Sequence, residues 1–270
     1  MVSRIPTVRD LLGLLDQLAP FERAESWDNP GLQVGDLSQT VTTICVALDP
    51  SLESLKGCMR EGGQLLLTHH PLIFKPLSSL DVRNYPTNVL LGAAREGIAV
   101  IAAHTNLDMA DRGINQMLAE DLGLRDIAIL KEMGEKGEWG LGRIGSLSEP
   151  RSLSSFVRTL KTILGTEHLR VTGDLHKEIR HVAVVGGSGG DLVRDASEKG
   201  AELLLTGDVG HHDALDARTL GIAVVDGGHF LTERLALRKF AAFLQGLLKK
   251  EQWDVKIIFL EDETDPLHWV

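Results

Sequence analysis

Aromatic side chains are scarce in this chain. Phe, Trp and Tyr together make up 4% of its 270 residues, with a single Tyr, so the core must be built from Leu, Val, Ile and Ala. Cysteine is scarcer still, with Cys45 and Cys58 as the only two. Two cysteines cannot form a disulfide framework, and theirs is not the spacing of a zinc site, which points to a reducing cytoplasm. No apolar run approaches the ~20 residues that span a bilayer. The N-terminal stretch places Asp10 and Asp16 among its leucines, so it reads as an amphipathic helix after an N-cap at Thr7 and not as a signal peptide. Positive charge is outnumbered: 28 Lys and Arg face 38 Asp and Glu, a formal net charge of −10. Such a chain is repelled by nucleic acid. No dense Lys/Arg run offsets this, and the cations between Arg234 and Lys250 read as the solvated face of a helix.

What is present is ample for a sizeable core. Hydrophobic residues are 43% and charged residues 24% of the chain, as in an ordinary globular protein. Short β-branched or leucine-rich runs predict strands at Thr42–Leu48, Gln64–Thr68, Ile98–Ala102, His181–Val185, Glu202–Thr206 and Ile222–Val225. Helical patterns follow several of them, at Ser51–Glu61 and Asp191–Lys199. This alternation predicts an α/β fold with mostly parallel or mixed sheets flanked by helices. The chain also repeats itself. "EGGQLLLTHH" resembles "EKGAELLLTGD", and "EGIAVIAAHTNLD" resembles "LGIAVVDGGHFLTE", in the same order. Two pseudo-duplicated halves are expected, residues 1–127 and 128–270, with no inserted third domain. The glycine- and charge-rich middle, "KEMGEKGEWGLGRIGSLSEP", reads as connecting structure with short strands.

Several of the ten histidines sit just after predicted strands. His69 and His70 follow one, and His104 follows another with Asp108 four residues later. His211 and His212 come after "LLLTGDVG". His229 follows "IAVVDGG" and opens a helical pattern in which Glu233, at i+4, shares its face. In open α/β sheets ligands bind beyond the carboxyl ends of the strands. A lone His there is usually a surface residue, and Glu233 alone is an ordinary acidic residue in a first helical turn. Gathered together, unpaired imidazoles and carboxylates are costly to bury, and a metal offsets that cost. Three imidazoles and two carboxylates suit Zn, Mn, Fe or Ni and not an all-oxygen calcium site. Five ligands exceed what one tetrahedral zinc needs and suit two ions sharing a carboxylate and a water.

Five stretches carry a family resemblance: "WDNPGLQVGD" (Trp27–Asp36), "LTHHPLIF" (Leu67–Phe74), "AAHTNLD" (Ala102–Asp108), "TGDVGHHDALDA" (Thr206–Ala217) and "GHFLTE" (Gly228–Glu233). In this order they resemble the dinuclear-metal proteins known as GTP cyclohydrolase I type 2 homologues, or NGG-one-interacting-factor-three-like proteins. The resemblance covers essentially the whole chain and matches the short members. It implies a duplicated α/β fold with the metal site between the halves, and a homo-oligomer in the form of a hexameric ring. It implies two divalent metal ions per chain held by His69, His70, Asp108, His229 and Glu233, with Glu233 bridging. The implied activity is that of a metal-dependent hydrolase acting on a guanine nucleotide or a phosphoester. The alternative is a metal-binding ring that regulates or interacts without efficient catalysis.

His104 and His212 match family positions near the site that are not ligands, so the resemblance gives them a proton-transfer or supporting role, with structural hydrogen bonding as the other reading. "VVGGSGGDL" (Val184–Leu192) is a glycine-rich turn between strand and helix. It completes neither a Walker loop nor a G-x-G-x-x-G, and stands as a tight turn or a phosphate cradle. "WDNPGLQVG" is expected to play a structural or rim role.

Overall fold

The computed structural model describes residues 4–268. In chain order the elements are α1 (Val8–Leu18), β1 (Gly31–Val34), β2 (Thr43–Ala47), α2 (Leu52–Arg60), β3 (Leu65–Thr68), α3 (Thr87–Glu96), β4 (Ala99–Ala102) and α4 (Thr105–Met109). There follow α5 (Ile114–Asp121), β5 (Arg125–Met133), β6 (Trp139–Ser152), α6 (Leu153–Leu164), β7 (Arg170–Thr172), β8 (Glu178–Ser188), α7 (Val193–Glu198), β9 (Leu203–Gly207), α8 (His211–Leu220), β10 (Ala223–Asp226), α9 (His229–Lys250) and β11 (Lys256–Phe259). The α/β class is as expected, with two mixed sheets flanked by helices. No helix of the described residues is long and apolar enough to cross a membrane.

The chain clusters into two compact units. One runs to Leu107 and takes in Leu237–Thr264; the other holds Asp108–Ala236 and the residues from Asp265. The expected halves, 1–127 and 128–270, are cut along the sequence, and the compact units are not. The chain leaves the first unit within α4 and re-enters it within α9, because β11 forms the edge of the first unit's sheet, parallel to β2, pairing Ile257 with Ile44 and Phe259 with Val46.

The first unit's sheet has the order β1-β4-β3-β2-β11, and the second's β5-β6-β8-β9-β10-β7. Within each lies the same motif. β2, β3 and β4 are parallel, with β1 antiparallel on β4; β8, β9 and β10 are parallel, with β7 antiparallel on β10. The repeated sequences occupy equivalent rungs: Leu65 pairs with Ala99 in one sheet and Leu203 with Ala223 in the other. Every residue of β3, β4 and β10 is buried, which is why these strands read as unbroken apolar runs and not as alternations. In the first unit Leu66, Val100 and Cys45 pack against Leu55 and Cys58 of α2 and Val89 and Ala93 of α3. In the second, Ala183, Leu204 and Val224 pack against Val193 and Ala196 of α7 and Ala217 of α8.

Helix α1 starts where Thr7 predicted. The Thr7 hydroxyl accepts from the Asp10 N–H and the Asp10 carboxylate accepts from the Thr7 N–H at 2.8 Å, a reciprocal capping box. The expected helix at Asp191–Lys199 is shorter, opening with a 3-10 turn at Gly190–Leu192 before α7. The middle segment departs from expectation more. Instead of loosely connected short strands, β5 and the 14-residue β6 form a long antiparallel hairpin. The start of β6 is buried or half-buried throughout, its one charged residue Arg143 included, and only residues 148–150 are exposed, so the segment is part of a sheet and not a loop.

Candidate metal centre

In the first unit the parallel strands all end at one edge. The ladder continues past the strand ends: the His69 N–H donates to Ala47 O at 3.2 Å, the His70 N–H to Leu48 O at 3.0 Å and the Ala103 N–H to Thr68 O at 2.9 Å. These bonds fix the backbone from which His69, His70 and His104 project. The Thr68 hydroxyl, fully enclosed, donates to His70 O at 2.7 Å and tightens the turn before Pro71.

Each of the three rings is held through Nδ1 by an oxygen that can only accept. His69, with no exposed surface, donates from Nδ1 to Ala103 O at 2.8 Å. His70 donates to Asp49 Oδ1 at 2.7 Å, and His104 to Asp28 Oδ1 at 2.8 Å. The tautomer is thereby set, with Nε2 as the nitrogen able to coordinate. The ring centroids stand 5.2 to 5.4 Å apart, and one nitrogen from each lies within 4.8 Å of the others. His104, expected beside the ligands and not among them, is thus a full member of this group.

Asp28 carries more than expected of the "WDNPG" loop. Its side chain is fully buried. Oδ1 takes the His104 bond, and Oδ2 accepts from both the Thr105 N–H and the Thr105 hydroxyl. Burial opposes its charge, but the bonds from His104 and Thr105 outweigh burial and lower its pKa to about 2. Trp27, just before it, is the rim residue: it is 56% exposed and meets the rings of Phe74 and His104 edge-on. Asp49 and Asp28 were missed from the sequence. Asp49, just beyond β2 in "VALDP", satisfies the same strand-end rule that found the histidines. Asp28 precedes β1 and follows no strand among the described residues, and only the fold brings it to His104, 76 residues away.

In the second unit, α9 opens with His229, and Glu233 lies one turn on. His229 Nε2 stands 3.0 Å from Glu233 Oε2, and its Nδ1–H donates to Asp208 Oδ2 at 2.7 Å. Asp208, directly after β9, repeats the role that Asp49 and Asp28 play. Glu233 is 3% exposed and Asp108 7%. The Asn115 side chain ties the Asp108 backbone into place, donating to Asp108 O at 3.0 Å while its Oδ1 accepts the Gly186 N–H at 2.8 Å. Arg143, 2% exposed, donates to Ala110 O two residues further on at 2.8 Å.

The glycine-rich turn finds its explanation here. A Cβ on Gly187 would lie 2.0 Å from Glu233 Oε1 and 3.2 Å from His229 Nε2. The Gly187 N–H donates to the Thr232 hydroxyl, and Gly187 O accepts from Thr206. Its backbone is the wall against which the glutamate rests. With the N–H groups of Gly186 and Gly187 given to Asn115 and Thr232, those two donors serve packing and not a phosphate. His212 is elsewhere in the unit: it is exposed on the first turn of α8, its ring 5.5 Å from that of His211.

The donor sets fit a divalent first-row ion. Imidazole nitrogens steadied by carboxylates, with further carboxylates beside them, are the ligands such ions take. Fold and donor chemistry together define an α/β protein of duplicated motif with His and carboxylate groups able to bind metal. The chain belongs to the Duf34/NIF3 (NGG1p interacting factor 3) family, whose model matches residues 6–266. A GTP cyclohydrolase 1 type 2 homolog of Clostridium perfringens is 32% identical over 263 residues, 97% of this chain and 99% of that protein. Among solved structures, the hypothetical protein SA1388 of Staphylococcus aureus matches with a TM-score of 0.93 at 29% identity, over 99% of this chain and 100% of that one. Reduced HcgD of Methanocaldococcus jannaschii matches with a TM-score of 0.80 at 31% identity, over 96% and 100%.

Proposed function

We propose that the chain is a dinuclear, divalent-metal-dependent hydrolase whose ligands are His69, His70, Asp108, His229 and Glu233, with Glu233 as the bridge. The observation that carries this reading is the repeated orientation of imidazoles: His69, His70, His104 and His229 each give Nδ1–H to an oxygen acceptor. Oxygen acceptors that fix the tautomer of a histidine and raise its basicity are what metal ligation uses. When bound, divalent ions lower the pKa of a shared water and polarise the bond under attack.

The chain's own residues divide the remaining work. Asp49 and Asp208 orient His70 and His229, and the Gly187 backbone sets the place of the Glu233 carboxylate. His104, steadied by the buried Asp28, is the group that gives or takes a proton. His212 lacks such a carboxylate among its contacts in the described residues, and is a weaker carrier of that role than His104. The relatives' name, GTP cyclohydrolase 1 type 2 homolog, supports a guanine nucleotide as substrate, and a phosphoester serves the same apparatus. The assembly is proposed to be a homohexameric ring in the cytoplasm, with no nucleic-acid partner.

The test is a screen of nucleotides and phosphoesters on protein purified with Mn or Zn, with metal content measured per chain. Asp108→Ala and Glu233→Ala are each expected to abolish stoichiometric metal binding and turnover together. Retention of two ions per chain in both variants would sink the ligand assignment. Full metal binding with no turnover on any substrate would favour a metal-binding regulatory ring.

A further inference from the structure

Strand β7 is three residues long, and its first residue, Arg170, lies directly across from Asp226 at the end of β10. Opposite charges in such a cross-strand position attract, and the two form an ion pair through Arg170 Nη2. The same Nη2 donates to Val209 O at 3.0 Å. Asp226, 8% exposed, also accepts the Val209 N–H at 3.3 Å and the Gly228 N–H at 3.0 Å. The guanidinium is therefore fixed by one of its nitrogens. Its Nε and Nη1 donors have no protein acceptor among the described residues.

Arg170 lines a cavity of about 240 Å³ with Thr172, Gly210, His211, Ala214 and Asp226, the rest of the wall being valine. The Thr172 hydroxyl and the His211 ring likewise make no hydrogen bond to the protein among the described residues. One wall belongs to the segment that follows Asp208, the acceptor for His229. We propose that this cavity is a binding site for the phosphate group of a small phosphorylated ligand. The Nη2 bonds to Asp226 and Val209 hold the side chain in place, so less entropy is lost when its Nε and Nη1 donors reach phosphate oxygens one by one. Thr172 and His211 supply further donors from β7 and α8, and the valine and alanine surface suits a carbon skeleton. Pockets for drug-sized ligands run to about 300–1,000 Å³, so the ligand here is smaller, of the size of a sugar phosphate. The proposal goes beyond the metal centre and stands without it.

The experiment is calorimetric titration of the full chain stripped of metal, at fixed ionic strength, with inorganic phosphate, ribose 5-phosphate and acetate. Ribose 5-phosphate is expected to bind saturably and more tightly than phosphate, with acetate weakest. Arg170→Ala is expected to weaken ribose 5-phosphate about tenfold or more, the loss of a charge-assisted hydrogen bond. Because removal of Arg170 leaves Asp226 without its cation, Ala214→Leu is the second variant: it narrows the cavity, leaves the ion pair in place and is expected to weaken binding comparably. Absence of saturable binding by the unmodified chain would overturn the proposal. So would acetate binding as tightly as ribose 5-phosphate, or unchanged affinity in a folded Ala214→Leu. As no metal is present, failure here is distinct from failure of the hydrolase reading.

Discussion

The substitution Gly187→Ala separates the strain of a backbone from the placement of a ligand. Gly187 has φ +65°, and an alanine there would place its Cβ 2.0 Å from Glu233 Oε1, 2.9 Å from Glu233 Cδ and 3.2 Å from His229 Nε2. The left-handed backbone costs a non-glycine residue about 1–2 kcal/mol. Crowding adds up to about 3 kcal/mol more where the neighbour cannot give way. What gives way first is the far end of a side chain, so the glutamate carboxylate is the group displaced. Gly165 is the control: it ends α6 with φ 68°, and a Cβ there would meet nothing within 4 Å. At about 2–4 °C per kcal/mol, Gly165→Ala is expected to lower the melting temperature of metal-free protein by about 2–8 °C and to leave metal content untouched. Gly187→Ala is expected to lower it at least as much and to lose bound metal. Calorimetry on the stripped proteins and elemental analysis after reloading read the two effects apart. Should Gly187→Ala hold as much metal as Gly165→Ala, the backbone of Gly187 does not set the place of Glu233, and the reasoning fails.

Asp49→Ala removes the acceptor of His70 Nδ1 and is expected to weaken metal affinity about 10- to 100-fold, measured by competition with a chelator; unchanged affinity would deny Asp49 its orienting role. The backbone N–H of Thr7, then its hydroxyl, with Arg4 adding to them, hold the Asp10 carboxyl below its ordinary 3.8. A carboxyl depressed in the folded state stabilises above its unfolded pKa and stops doing so as pH falls through the folded one. The melting-temperature gap between the unmodified chain and Asp10→Ala, with about 1 kcal/mol at stake in the cap, should therefore be full at pH 7 and narrow below pH 3.8; a gap independent of pH would contradict the capping box.

Much of this molecule was legible without coordinates. The strands β2, β3, β4, β8, β9 and β10 could be read from apolar runs because each is covered on both faces, and burial on both faces leaves its mark residue by residue. Thr7 and His229 announced helices, since caps and first turns act over three or four residues. The histidines after β3, β4 and β10 stood out because a parallel sheet delivers the ends of its strands to one edge. Interactions between residues far apart in the chain left no such trace. Nothing near residue 28 announces that its carboxylate turns the ring of residue 104. Nothing in "KIIF" says that β11 pairs with β2 more than 200 positions earlier and draws the end of α9 into the first unit. The glycines of "VVGGSGGDL" were visible, but not their purpose, for a glycine's reason lies in the atom that a Cβ would strike, and for Gly187 that atom belongs to Glu233. Local periodicity and capping are written within a few residues of where they act; the tautomer of a histidine and the seat of a carboxylate are decided by whatever the tertiary fold brings against them.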